Sequence, residues 1–385
     1  MTTAYDVLVV GGRVAGASTA MLLARAGARV ALVERAAYGS DTVSTHGLMR
    51  AGVMQLSRWG LLGELATAGT PPIRQTTFHY TDRESEQIAI RAGGGVDALY
   101  APRRSVLDRI LADAAADAGV EMLYRTAVTA VLRDESGRVA GVRLRDRDLR
   151  AGITVGADGI RSTVASAVSA PVVRQGQSLS AILYRYYADV RPTGYEWAYA
   201  VGSGAGLIPT NDELTCVFVA TTPARMRELR RCGTEQAFAT LLAQTAPGLA
   251  DRVLRAEPVG AMHGWAGAAG FVRQSWGPGW ALAGDAGYYK DPITTHGITD
   301  ALRDAELLAG AILETPTGTA PASFAGYQAT RDRLSSRLFE ATETVASYRW
   351  SLDDVRVLLR EVSSAMREEV DHVGSLPDLG VRAAG

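Results

Sequence analysis

Lysine is almost missing from this chain of 385 residues: of its 40 Lys and Arg positions, only Lys290 is a lysine. Cysteine is scarce as well. Cys216 and Cys232 lie far apart with no clustered histidine, so neither a disulfide framework nor a zinc site is indicated, and both read as buried or idle thiols in a reducing compartment. Excess charge is absent, since the formal net charge is -1 and the arginines are scattered. No basic surplus exists to neutralise a nucleic-acid backbone, which makes nucleic acid an unexpected partner. Long apolar runs are missing too, so no stable membrane insertion is expected. The opening MTTAYDVLVVGG enters an apolar strand at once, without the charged start and small-residue cleavage site of a secretory leader. A cytoplasmic protein follows as an expectation, with its oligomeric state open. The 47% apolar and 21% charged residues that remain are ordinary for a globular enzyme with one large or two moderate cores.

The first stretch with chemistry in it is a βαβ unit. YDVLVV reads as a strand, GGRVAG as a turn, ASTAMLLARAG as a helix ending on Gly27, and ARVALVERA as a second buried strand. This is where a dinucleotide fingerprint belongs, because glycines there let the backbone approach a pyrophosphate whose charge sits on a helix N-terminus. Gly11 and Gly16 fit the outer positions, whereas Arg13 stands at the middle one. An arginine serves there if its guanidinium folds over the diphosphate or adenine. Glu34 ends the second strand, where a carboxylate can accept both hydroxyls of an adenosine ribose.

Two more strand-to-helix turns follow. ITVGADGIRSTV places Asp158 and Gly159 between a strand and a helix starting near Arg161 and Ser162. WALAGDAGYYKDPITTHGITDALRDAELLAGAIL places Asp285 at a strand end, ahead of a Pro-containing loop and a long helix. An aspartate at such a turn can accept a ribityl hydroxyl, while the following amides meet phosphate or the flavin's pyrimidine oxygen.

With these blocks on the page, together with MRAGVMQLSRWGLL and RRSVLDRIL, the sequence resembles the FAD-dependent aromatic hydroxylases and their relatives, the geranylgeranyl-reductase-like flavoproteins. The resemblance implies an α/β fold in which an FAD-binding Rossmann-like βαβ domain is interleaved with an antiparallel-sheet substrate domain and followed by C-terminal helices. It implies a cofactor domain built from 1–70, 96–168 and 280–330, a substrate domain from 71–95 and 169–279, and a helical segment over 331–385. It further implies that Gly11, Gly16, Glu34 and Arg35 hold the ADP half of FAD, with Arg13 added to that set by its position. Arg50 and Arg104 would contact the cofactor's phosphates or ribityl chain, Asp158 would lie near the FAD and NAD(P)H pyrophosphates, and Asp285 would bind the ribityl chain. Pro292, Thr295, His296, Gly297 and Ile298 would line the isoalloxazine ring. Two departures from the family pattern are Arg13 and the pair Tyr288-Tyr289, where many hydroxylases carry a histidine.

Between the cofactor blocks, PIRQTTFHYTDRESEQIAI reads as a strand hairpin, and SAILYRYYADV, YEWAYAVG, AGLIPT and LTCVFVATT as antiparallel strands. Tyr184 and Tyr186 share one face by the two-residue period, as do Tyr195, Trp197 and Tyr199. Such a wall suits a planar apolar substrate, although any one of these rings also serves to pack a sheet core. His263 and His46 are candidate proton shuttles, and His296 is better placed because its loop would bring it to the flavin.

The expected reaction is NAD(P)H-dependent monooxygenation, in which O2 supplies one oxygen atom to an aromatic or other electron-rich small molecule. The alternative is reduction of an isoprenoid-type C=C bond on the same fold. A flavin halogenase ranks third because its tryptophan motif is absent, and a non-catalytic flavin-binding protein ranks last. Lys290 is expected beside the flavin edge as an electrostatic guide, swinging between a carboxylate such as Asp291 and an incoming anion.

Overall fold

The computed structural model describes residues 4–81, 84–314, 321–377 and 379. Its eight-stranded sheet orders 276–277, Trp280–Leu282, Asp148–Gly156, Ala4–Val10, Val30–Val33 and Glu121–Leu123 side by side, with 130–133 and 139–143 attached at one flank. The four strands around Ala4–Val10 run parallel. Helix Val14–Arg25 leaves the first of them through the glycine turn and lies in the apolar layer with helices Arg104–Asp117 and Gly297–Leu313. Strands covered by helices in this way have no solvated face, which is why VLVV and VALV read as unbroken apolar runs.

The seven-stranded sheet orders Pro258–Trp265, Ala181–Tyr187, Thr215–Thr221, Ser203–Pro209, Tyr195–Ala200, Gln75–Thr81 and Glu84–Ala89. All neighbours are antiparallel except Tyr195–Ala200 with Gln75–Thr81. The tip of the hairpin joining Gln75–Thr81 to Glu84–Ala89 lies outside the described residues. One face carries Tyr184, Tyr186, Tyr195, Trp197, Tyr199 and Phe218. The opposite face packs Leu183, Leu207, Val217 and Val219 against the helices between 223 and 253.

Two long helices close the chain, Pro321–Ala346 and Leu352–Ser375. The first runs without interruption through the boundary expected between 330 and 331. The second starts on a capping box, in which Ser351 accepts the amide of Asp354 and the Asp354 carboxylate accepts the amide of Ser351. Among the described residues, no helix is long and apolar enough to cross a membrane.

Candidate cofactor and substrate site

The glycines of the first turn are needed by the protein's own backbone. A Cβ on Gly16 would lie 1.8 Å from the carbonyl oxygen of Gly11, and one on Gly11, at φ +103°, would lie 2.4 Å from that of Ala157. The turn therefore presses the N-terminus of helix Val14–Arg25 against the strand end that carries Asp158. No side chain caps that helix and no acidic residue occupies its first turn, so its N-terminal amides and positive dipole end remain available to an anion.

A shallow cleft opens beside this turn, lined by residues that include Gly12, Arg13, Glu34, Asp108, Ala112 and Tyr124. Glu34 is fixed at its floor, accepting the amide of Gly12 at 2.7 Å and that of Ala36 at 2.6 Å. Arg13 sits on the wall, paired with Asp108 at 2.8 Å and donating to the carbonyls of Ser40 and Asp41, both at 3.2 Å. Arg104 holds both oxygens of Asp108, Oδ1 at 3.0 Å and, shared with Arg13, Oδ2 at 3.1 Å. The Arg104 charge also acts on Asp285, so Asp108 and Arg104 connect the cleft to the Gly-Asp turn.

Asp285 is the carboxylate without a partner. It makes no hydrogen bond among the described residues, and burial pushes it up to about 6, with Lys290 and Arg104 opposing that rise. Beyond it the chain forms the turn Pro292–Thr294, passes Thr295 at φ 52°, and enters helix Gly297–Leu313. No side chain caps this helix either, and a Cβ on Gly297 would meet nothing within 4 Å. Thr295 and Ile298 are buried beside that opening. The amide end of one helix, a floor carboxylate, an unpartnered aspartate and the open end of a second helix fit the phosphate, ribose, ribityl and ring portions of FAD.

Several expected ligands are committed elsewhere. Arg50 donates to the carbonyls of Arg91, Gly93 and Val96 at 2.5, 3.2 and 3.0 Å, so it ties down the 91–96 loop. Asp158 caps its own short helix, accepting from Ser162 Oγ at 2.5 Å and Thr163 N at 2.6 Å. Arg35 is exposed and is not among the residues lining the cleft.

Lys290 departs furthest from expectation. It is 5% exposed and is paired with Asp300, not with Asp291, whose oxygens accept the amides of Ser180 and Ile293 at 2.6 and 3.0 Å. An ammonium held in this way has no room to swing toward an incoming anion. His296 is likewise enclosed, bonded through Nε2 to Glu369 of the last helix at 2.5 Å. Arg303 joins Asp300 at 2.9 Å, Glu369 at 3.0 Å and Asp304 at 2.8 Å. His296, Asp300 and Glu369 lie close enough together to suggest a metal centre, yet Lys290 and Arg303 already occupy the carboxylate oxygens.

The aromatic wall divides in two. Trp197 and Tyr199 pack in the core with Tyr348 and Trp350, and Trp197 Nε1 donates to Thr76 at 2.9 Å. Tyr184 and Tyr186 form the other half, with His263 stacked on Tyr184 at 4.8 Å and the Arg103 guanidinium 4.7 Å from the Tyr186 ring centroid. His46, at φ 69°, meets the Tyr186 hydroxyl through Nε2 at 2.5 Å and leaves Nδ1 without a partner. Burial lowers His46 to about 3, so the ring is neutral. Its neighbour Gly47 lies against the turn after Pro292–Thr294, where a Cβ would come 2.1 Å from Thr295 Cγ2. The sequence singled out neither Arg103 nor Glu369. Glu369 was detectable as a carboxylate on the apolar stripe Val355, Val362, Ala365 and Val373.

A family model described as FAD binding domain matches residues 4–342. A digeranylgeranylglycerophospholipid reductase from Thermoplasma acidophilum is 24% identical over 323 residues, covering 77% of this chain and 75% of the relative. Among solved structures, the flavin-dependent brominase Bmp2 superposes with a TM-score of 0.81 at 20% identity, covering 97% of this chain and 94% of its own. PqsL from Pseudomonas aeruginosa, described as a probable FAD-dependent monooxygenase, superposes with a TM-score of 0.73 at 24% identity, covering 97% and 100%. At these identities the two structures speak for the fold.

Proposed function

This chain belongs to the FAD binding domain family, and from that premise we propose that it is an NAD(P)H-dependent monooxygenase that adds one atom of O2 to a planar, electron-rich small molecule. The observation that carries the reading is the aromatic group of buried Tyr184 and Tyr186 with half-buried His263, set across His46 and Gly47 from the turn at Thr295. Bound FAD supplies two-electron transfer and activation of O2. In this reading Gly11, Gly16 and Glu34 hold the ADP half, with Arg13 walling it in. Asp285 takes the ribityl chain, while Pro292, Thr295, Gly297 and Ile298 border the ring. Residues 1–70, 96–168 and 280–330 form the cofactor domain, 71–95 and 169–279 the substrate domain, and 331–385 a helical cover.

Within that site the protein's work is orientation and exclusion of water. Rings at Tyr184 and His263 offer stacking surfaces, and the Tyr186 hydroxyl with neutral His46 can pass a proton to or from a bound molecule. A second reading, reduction of a C=C bond, draws on the sequence match to the Thermoplasma reductase and uses the same proton donor. The test is stoichiometry. Oxidation of NAD(P)H matched by equal O2 uptake, with a product heavier by one oxygen, supports the first reading. Turnover that continues without O2 supports the second, and a bound flavin that neither nicotinamide reduces sinks both.

A further inference from the structure

Six ionisable side chains, Lys290, His296, Asp300, Arg303, Asp304 and Glu369, are sealed together, each 5% exposed or less. An ionic cluster so deeply buried contributes little net stability, because desolvation offsets the attraction between its members. Its placement suggests another use, since its carboxylates hold the loop 284–298 at three points and Arg303 ties those carboxylates together. Asp304 accepts the amide of Gly284 at 3.1 Å at the loop's start, Lys290 stands in its middle, and His296 ends it at the mouth of helix Gly297–Leu313. Only Glu369 comes from elsewhere, carried in by the last helix.

Three carboxylates face the Arg303 guanidinium and, below a pH of about 7, the Lys290 ammonium, so in that range the charge on His296 decides the balance. Burial lowers His296 while Glu369 opposes that shift. His296 Nδ1 has no partner, and protonating the ring would leave a buried N–H unpaired. A neutral His296 therefore donates from Nε2 to Glu369, and the cluster holds one net negative charge. Tyr288, whose ring lies 5.1 Å from Lys290 and 5.7 Å from the Arg303 guanidinium, adds none. Asp285, His372 and Tyr327 also face it, and burial holds the Tyr327 hydroxyl well above its ordinary value, so it adds no charge.

Resting on the reading that FAD lies along the loop 284–298, we propose that Glu369 is a positioning residue for the flavin: acting through His296 and Arg303, it supplies the excess negative charge beside the ring and holds its reduction potential down. Two-electron reduction adds negative charge to the ring. The open end of helix Gly297–Leu313 favours that charge and Glu369 disfavours it, so the last helix of the chain adjusts a property of the cofactor site.

The experiment compares midpoint potentials of the FAD-loaded parent, Glu369→Gln and Lys290→Met, titrated with dithionite and indicator dyes at a pH of about 6, where Lys290 is charged. Glu369→Gln is expected to shift the oxidised-to-reduced ratio about tenfold toward reduced flavin, roughly 30 mV for a two-electron couple, and Lys290→Met to shift it similarly the other way. Opposite signs are what a packing role would not produce. Shifts below about twofold in both variants, or shifts of the same sign, overturn the proposal. If one variant loses its flavin, the sign of the other decides; loss from both shows a structural cluster and also overturns it. A parent chain that binds no FAD instead brings down the cofactor reading beneath it.

Discussion

At position 290 a lysine and an arginine are not equivalent. The ammonium is compact enough to pair with Asp300 under the Tyr288 ring, and the neighbouring guanidinium space is filled by Arg303. A chain that uses arginine at its other basic positions thus has a steric reason for its one lysine. Lys290→Arg is expected to cost about 1–3 kcal/mol of stability through overpacking, read by urea unfolding. A change within about 0.5 kcal/mol, as at an exposed site, would show that shape does not matter there. Asp285 gives a pH-dependent counterpart. Its carboxyl is raised from 3.8 to about 6 in the folded protein, so between those values the folded state binds more protons than the unfolded one, and stability falls as pH rises through that window. Flavin-free Asp285→Asn should match the parent below a pH of about 4 and exceed it by roughly 1–3 kcal/mol above about 6, while binding FAD more weakly. Parallel melting curves at every pH would sink the assignment.

Among elements, the turns carried most of the information. The glycine turn, the two aspartate turns and the period-two strands are local patterns, and the βαβ unit, the long helix after Asp285 and the antiparallel strands stand where those patterns put them. Local pattern could not say what each side chain would find across the fold. The strands Ala181–Tyr187 and Thr215–Thr221 are apolar on both faces because the helices of 223–253 cover the side away from the aromatic face. Lys290 met Asp300 because the chain folds back onto the helix that continues its own loop, and His296 met Glu369 because a helix distant in sequence packs on that loop. Arg13 shows the same limit, for its position was legible and its partner Asp108 was not. In the folded protein it joins the first helix, the 40–41 segment and helix Arg104–Asp117 around the cleft beside Glu34. Arg13→Ala should therefore weaken FAD binding by about tenfold, roughly 1.4 kcal/mol, by loosening the cleft wall. Fluorescence titration of the apoprotein checks this, and an affinity equal to or above that of the parent would show that the arginine merely replaces a glycine.

For the whole molecule, the last helix matters because it closes both halves of the site. Arg58 donates to the carbonyls of Val373 at 2.7 Å and Leu376 at 3.2 Å while pairing with Glu306 at 2.9 Å, which anchors the end of Leu352–Ser375 to helix Gly297–Leu313. The chain entering that helix places Tyr348, Trp350 and Val355 against the aromatic sheet. Glu369, between those anchors, reaches His296 at the end of the loop 284–296 and Arg303 beyond it. A ligand that orders the loop must then stabilise the docking of this helix, because coupling between two sites is reciprocal. Binding of FAD to the apoprotein is accordingly expected to slow amide exchange in 352–375 as well as in 284–298, by about tenfold or more with saturating cofactor. Glu369→Gln should reduce the slowing in the helix more than in the loop, since it removes the charged link and leaves the loop's own ligands in place. Exchange that slows in the loop alone would mean that the C-terminal helix is a passive cover, and the coupling drawn here between the end of the chain and its cofactor would be lost.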